Sequence, residues 1–287
     1  MEREMRRFRI TTAIIVILFL AVSCATETDP TGLKGVWKAS DGEYSYVFTF
    51  TSDGHYASEV YYETYLEYAE FGTFESDESY IYTDLDDYPF SWDGSNLVLD
   101  YFGSDLVFKR TSKTARNNTS ASKLCGVWSG QAGVAGFTKG GTFSSMGLRT
   151  NIDDYSADGT ILTIGGTEND YLIINSRLYI RDEDSIFGAN YTVIFDRETS
   201  GGEDQTSREI LTLNNPWHLT DMDEGTNHYI YEFSSSGNYT MEYYNDNYSD
   251  HSISSGTYRY SGHTIELSDD GDLAYLIVDL RPFMFSI

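Results

Sequence analysis

Tyr44, Tyr46, Phe48 and Phe50 fall on one parity of the chain, and Ser45, Val47 and Thr49 fall on the other. Tyr229, Tyr231 and Phe233 repeat the pattern around Ile230 and Glu232. A period of two, in short runs rich in Tyr, Thr, Val and Ile, is that of a half-buried β-strand. Asp53-Gly54, Asp93-Gly94-Ser95-Asn96, Asp158-Gly159, Ser236-Gly237 and Ser261-Gly262 separate such runs. Glycine there supplies the positive φ that tight hairpins need. Turns at this density, with no long stretch of helical period, predict an all-β chain of antiparallel strands, as sandwich or barrel. Tyr61 to Tyr68 is ambiguous, because a helix would align Tyr61, Tyr65 and Ala69. Its counterpart Tyr239 to Tyr244 reads as strand, so strand is expected for both.

The pattern repeats. Leu33-Lys34-Gly35-Val36-Trp37, Leu124-Cys125-Gly126-Val127-Trp128 and Leu213-Asn214-Asn215-Pro216-Trp217 open three similar segments. Tyr46 to Tyr56 aligns without gaps to Tyr229 to Tyr239, and Gly72-Thr73-Phe74 matches Gly256-Thr257-Tyr258. Each segment closes on an apolar run ending in arginine, at Arg110, Arg197 and Arg281. The polar stretches Thr111 to Lys123 and Thr199 to Thr212 read as linkers, although Glu209-Ile210-Leu211 could begin a strand. Three tandem modules follow, at 33–112, 124–199 and 213–287. Each is large enough to fold alone around a marginal core. Propeller blades, at about 40–50 residues, are too short to match.

Gly-x-Trp near the start and a late Arg resemble the pattern of lipocalin-like (calycin) barrels. The resemblance implies small closed antiparallel barrels or meanders in which the Trp packs across the floor and the Arg lies over its indole. The implied pairs are Trp37 with Arg110, Trp128 with Arg197, and Trp217 with Arg281.

The N-terminus has its own pattern. Arg3, Arg6, Arg7 and Arg9 precede an apolar run from Ile10 to Val22, which exits through Ala21-Val22-Ser23-Cys24. These are the parts of a secretory signal, and the run is too short to span a bilayer. A cysteine directly after Ala-Val-Ser resembles the signal of bacterial lipoproteins. That resemblance implies a signal peptide at 1–23, lipidation of Cys24, a tether at 24–32 and a place in the bacterial cell envelope. Because Ala25 rather than Asp follows the cysteine, it points to the outer membrane rather than the inner.

The formal charge is −26, from 19 Lys+Arg and 45 Asp+Glu. Removing residues 1–23 takes away four Arg and two Glu, which leaves −28. A polyanion repels phosphates, so nucleic acid is not an expected partner. It also repels anionic lipid, so the folded part would stand off the membrane on its tether.

Candidate chemistry is thin. His228, His251 and His263 fall in one segment and could gather around zinc or copper, but without close ligand spacing they read as solvated residues. The acidic runs Asp84 to Asp87, Asp221 to Glu224 and Asp269 to Asp272 do not fit a calcium loop. Cys125 aligns with Lys34 and Asn214, so a thiol is not demanded there. No nucleophile elbow, phosphate loop or dinucleotide fingerprint appears. No cofactor, metal or catalytic residue is therefore expected. The 24 tyrosines suit half-exposed strands or a recognition surface. The expected function is a membrane-anchored, non-enzymatic module binding an envelope protein or glycan. The alternatives are a carrier of a small apolar ligand within a barrel, and a hydrolase.

Overall fold

The computed structural model describes residues 31–147, 151–182, 191–213, 216–220, 227–268, 271–279 and 281–286. Cys24, the signal segment and the run Asp221 to Glu224 lie outside the described residues, as do Asp269 and Asp270. The described residues are all-β, with two short helices among them.

The first unit is a meander of eight antiparallel strands. They are β1 (Gly35–Asp41), β2 (Tyr44–Phe50), β3 (His55–Tyr62), β4 (Tyr65–Ser76), β5 (Tyr80–Thr83), β6 (Asp87–Asp93), β7 (Asn96–Tyr101) and β8 (Ser104–Ser112). β8 pairs back onto β1 and closes a barrel. The ambiguous tyrosine-rich stretch is a hairpin. β3 turns into β4 through Glu63, whose φ of 54° makes the reversal.

After α1 (Ala121–Leu124) comes a second eight-stranded barrel. Its strands are β9 (Gly126–Gly130), β10 (Gly133–Phe137), β11 (Thr142–Gly147), β12 (Asn151–Asp158), β13 (Ile161–Ile164), β14 (Thr167–Ile174), β15 (Arg177–Arg181) and β16 (Thr192–Arg197). β16 pairs with β9 to close it.

The third unit follows α2 (Arg208–Leu213). It comprises β17 (Trp217–Thr220), β18 (Asn227–Phe233), β19 (Asn238–Asn245), β20 (His251–Ser261), β21 (Thr264–Leu267), β22 (Leu273–Val278) and β23 (Arg281–Ser286), in that order across one open sheet. It is a meander with two edges rather than a third closed barrel. The possible strand start at Glu209 is helical instead. Ser207 accepts the Leu211 N–H on its carbonyl (3.0 Å) and the Ile210 N–H on Oγ (3.2 Å), which caps a helix.

Eight strands enclose an interior that side chains can fill. In the first barrel Trp37, Phe48, Phe50, Tyr56, Leu97 and Phe108 fill it, each at most 1% exposed. In the second, Trp128, Phe137, Phe143, Leu162, Tyr171 and Phe195 do the same. Alternation explains why one strand serves two purposes. Tyr56, Ser58 and Val60 of β3 lie on the parity that faces inward. Ala57 and Glu59 face outward, against the second barrel.

The units are docked. Ala57, Ala69 and Phe71 pack on Leu172, Ile174, Tyr179 and Ile194, with Ala115 of the connecting segment between them. Val127, Val134 and Met146 pack on Leu276, Val278 and Phe283. The connecting segments are straps rather than loose linkers. The Asn118 N–H donates to the Ile173 carbonyl (2.7 Å), and the Thr119 hydroxyl accepts the Ile173 N–H (2.8 Å). Gln205 donates to Ile277 in the same way (2.9 Å).

Candidate functional site

The tryptophans and arginines occupy the closing seams. Trp37 registers opposite Arg110, and Trp128 opposite Arg197. The Arg110 guanidinium lies 4.3 Å from the Trp37 ring centroid, and that of Arg197 lies 3.9 Å from Trp128. Arg110 also donates to the Gly32 carbonyl, and Arg197 to the carbonyls of Lys123 and Cys125. Each indole N–H donates to a leucine carbonyl four residues upstream, Leu33 at 2.6 Å and Leu124 at 2.7 Å. The shared glycine has a reason too. Gly35 and Gly126 sit at φ 137° and 129°, and a Cβ would lie 2.4 Å from the Ser112 carbonyl oxygen or 2.3 Å from that of Thr199. Leucine, glycine, tryptophan and arginine thus form one closure device, used twice.

The third pair is placed differently. Trp217 is buried and donates to the Leu211 carbonyl (2.8 Å), six residues back rather than four. Its ring meets Tyr275 at 5.4 Å, edge to face. Arg281 is exposed and opens β23 opposite Val278, instead of ending a strand opposite the tryptophan. Sequence comparison aligned the turn Val278 to Arg281 with the ends of β8 and β16. It also missed Leu211, which the helix brings into the place held by Leu33 and Leu124.

The histidines do not converge. His228 bonds Asp246 (2.6 Å), His251 bonds Glu242 (2.9 Å) and His263 bonds Asp204 (3.0 Å). No group of three metal-ligating side chains occurs among the described residues. Asp84 accepts the backbone N–H and hydroxyl of Thr73, at 2.9 and 2.6 Å. Cys125 is buried, with its sulfur 3.5 Å from the Tyr155 hydroxyl.

Two buried glutamates of the first barrel set the chemistry that remains. Glu59 faces outward and is 2% exposed. It accepts from the hydroxyls of Tyr179 (2.5 Å) and Tyr61 (2.6 Å) and pairs with Arg177 (2.6 Å) across the seam between the barrels. Burial first, and then the Glu59 charge, drive the Tyr179 phenol far above its ordinary range. Glu70 faces inward and is 3% exposed. It accepts from Tyr68 (2.8 Å), Tyr88 (3.2 Å) and Tyr56 (3.3 Å), and no cation among the described residues pairs with it.

Glu70 lines a cup of about 350 Å³ at the end of the barrel away from Trp37. Its walls are Tyr46, Tyr68, Tyr88, Tyr101 and Phe102. Tyr88 and Tyr101 stack at 5.8 Å, Tyr46 meets Tyr101 edge-on at 5.4 Å, and Phe102 stands 76% exposed on the rim. Burial, followed by the Glu70 charge, pushes the Tyr101 phenol up to about 12. Phenols around a carboxylate can donate hydrogen bonds to it and offer aromatic surface beside it. Sequence reasoning flagged the tyrosines as a class. It had no means of selecting these, because β2, β4, β6 and β7 bring them together only on closure.

No protein-family model matches the chain, and no curated protein matches it. Among solved structures it is similar to bacterial sliding clamps. The DNA polymerase III subunit beta clamp of Bartonella birtlesii LL-WM9 matches at 12% identity and TM-score 0.19, over 90% of this chain and 93% of that one. The clamp of Caulobacter crescentus matches at 11% identity and TM-score 0.20, over 90% of each chain.

Proposed function

We propose that the protein is a non-enzymatic binding module of the bacterial cell envelope, held at the outer membrane by lipid on Cys24, with the tyrosine-lined mouth of its first barrel as the binding surface. The observation that carries the reading is that mouth. The interior beneath it is filled down to Trp37, while tyrosine and phenylalanine rings surround a cup that the Glu70 carboxylate lines. Filled interiors favour a ligand held at the mouth over an apolar one carried deep within a barrel. The lipoprotein-like exit Ala21-Val22-Ser23-Cys24 supports the tether, and the docked, strapped units support a stiff body standing clear of the bilayer.

The tether is tested by metabolic labelling with a fatty-acid analogue during expression of the full chain in a bacterium. The wild type is expected to take up label and to fractionate with membranes, and Cys24→Ser is expected to lose both. Label retained by Cys24→Ser, or a wild type without label, would overturn the anchoring.

A further inference from the structure

We propose that the mouth of the first barrel binds an organic ammonium group, with Glu70 as its countercharge and Tyr46, Tyr88, Tyr101 and Phe102 as its cage. This rests on the reading of that mouth as the binding surface. The contrast between the two buried glutamates carries it. Glu59 and Glu70 are both held by tyrosine hydroxyls, and both are almost fully removed from water. Glu59 has the Arg177 guanidinium at 2.6 Å, whereas Glu70 has three phenols and, among the described residues, no cation. A buried carboxylate is ordinarily paired with a positive charge. Arg181, across β4, is engaged by Asp170 (3.0 Å) and the Phe71 carbonyl (3.2 Å).

The surroundings fit a cation rather than a neutral ligand. Ring faces attract cations through their quadrupole, and desolvated cages of such rings recognise quaternary ammonium groups. A carboxylate offers about four lone-pair sites. Three phenolic donors leave roughly one for a ligand N–H, so a protonated amine can also be held. Asp86 adds negative potential at Tyr68, Tyr88 and Tyr101. Ser58, which registers opposite Glu70 in the barrel wall, has a buried hydroxyl with no hydrogen-bond partner among the described residues.

Isothermal titration of the full chain in detergent with choline, and with its neutral isostere 3,3-dimethyl-1-butanol, tests the assignment. Choline is expected to bind saturably, and the isostere about tenfold more weakly or worse. Glu70→Gln is expected to weaken choline by a similar factor. Phe102→Asn removes a rim ring at a position whose φ of 51° an asparagine accepts, and should weaken choline with the melting temperature unchanged. If the isostere binds as tightly as choline, the ammonium assignment fails while the mouth stands as a binding surface. If choline binding survives both substitutions, the site lies elsewhere. If neither compound binds, the assignment and the mouth both fail, and the tether stands or falls on the Cys24 labelling alone.

Discussion

Replacing Arg177 with methionine would remove the cation from the seam between the barrels while keeping most of its aliphatic stem. Glu59 would remain 2% exposed, still bonded to Tyr61 and Tyr179 but without a countercharge. Breaking a buried pair by removing one partner costs about 3–5 kcal/mol. The Arg177 side chain is one-third exposed, so water can enter behind it, and the lower end, about 3 kcal/mol, is expected. Asp196, the other partner of Arg177, is 65% exposed and adds little. For a cooperative unit of two barrels this corresponds to a fall in melting temperature of roughly 6–12 °C. Glu59→Gln should cost about 1–3 kcal/mol through weakened hydrogen bonds. The double variant should be less destabilised than the sum of the singles, by more than about 1 kcal/mol, since it removes charge and countercharge together. Calorimetry of the four proteins closes the cycle, and proteolysis within Thr111 to Lys123 reports undocking. Additivity within about 0.5 kcal/mol, or a loss below about 1 kcal/mol for Arg177→Met, would refute the view of Glu59 as a buried charge dependent on Arg177.

Arg110→Ala and Arg197→Ala should each lower stability by about 1–2 kcal/mol, through the lost indole contact and the uncapped carbonyls, whereas Arg281→Ala should stay within about 0.5 kcal/mol; chemical denaturation distinguishes them. Asp279 accepts Thr199 Oγ1 (2.6 Å) and the N–H groups of Gly201, Gly202 and Glu203. Burial raises its pKa, but these four donors outweigh it and hold the carboxyl below its ordinary 3.8. A depressed folded pKa gives stability that is present above the unfolded value and lost as pH falls through the folded one. Docking of the third unit should therefore weaken below about pH 4, and Asp279→Asn should flatten that acid limb in hydrogen exchange across β22 and β23. At Gly136 an added Cβ would lie 2.8 Å from the Phe283 ring and 3.0 Å from Val278, so Gly136→Ala should loosen the same seam by about 1–3 kcal/mol, read as faster exchange in β22 with the second barrel unchanged.

Strand content and repeat were legible because they are local. Tyr44 to Phe50 alternates, and Leu-x-Gly-Val-Trp recurs before each of the two closed barrels. The pairing of Trp37 with Arg110 was implied by the lipocalin-like resemblance, and β1 and β8 place the two residues opposite each other. What failed was whatever depends on partners distant in sequence. Arg281 shares the apolar-run-then-arginine pattern of Arg110, yet a turn at Asp279 makes it the first residue of a strand rather than the last. Gly201-Gly202-Glu203 has the composition of a linker, and only the carboxylate of Asp279, nearly eighty residues on, turns it into an anion-holding nest. Glu59 and Glu70 are two glutamates among many in an acidic chain. Strand parity separates inward from outward, but nothing local announces that either is buried.

Closure of each barrel joins its first strand to its last, and this fixes an order of events as the chain emerges. Until β8 arrives, β1 and β7 are raw edges, and Trp37 waits without its guanidinium lid. The same holds for β9 until β16 is complete. Loops this long must be brought together before any seam contact rewards the effort, so barrel sealing is expected to be the slow phase of folding. Either barrel cut short by one strand would expose two unpaired ladders, so each is open to mispairing in the interval just before its eighth strand is available.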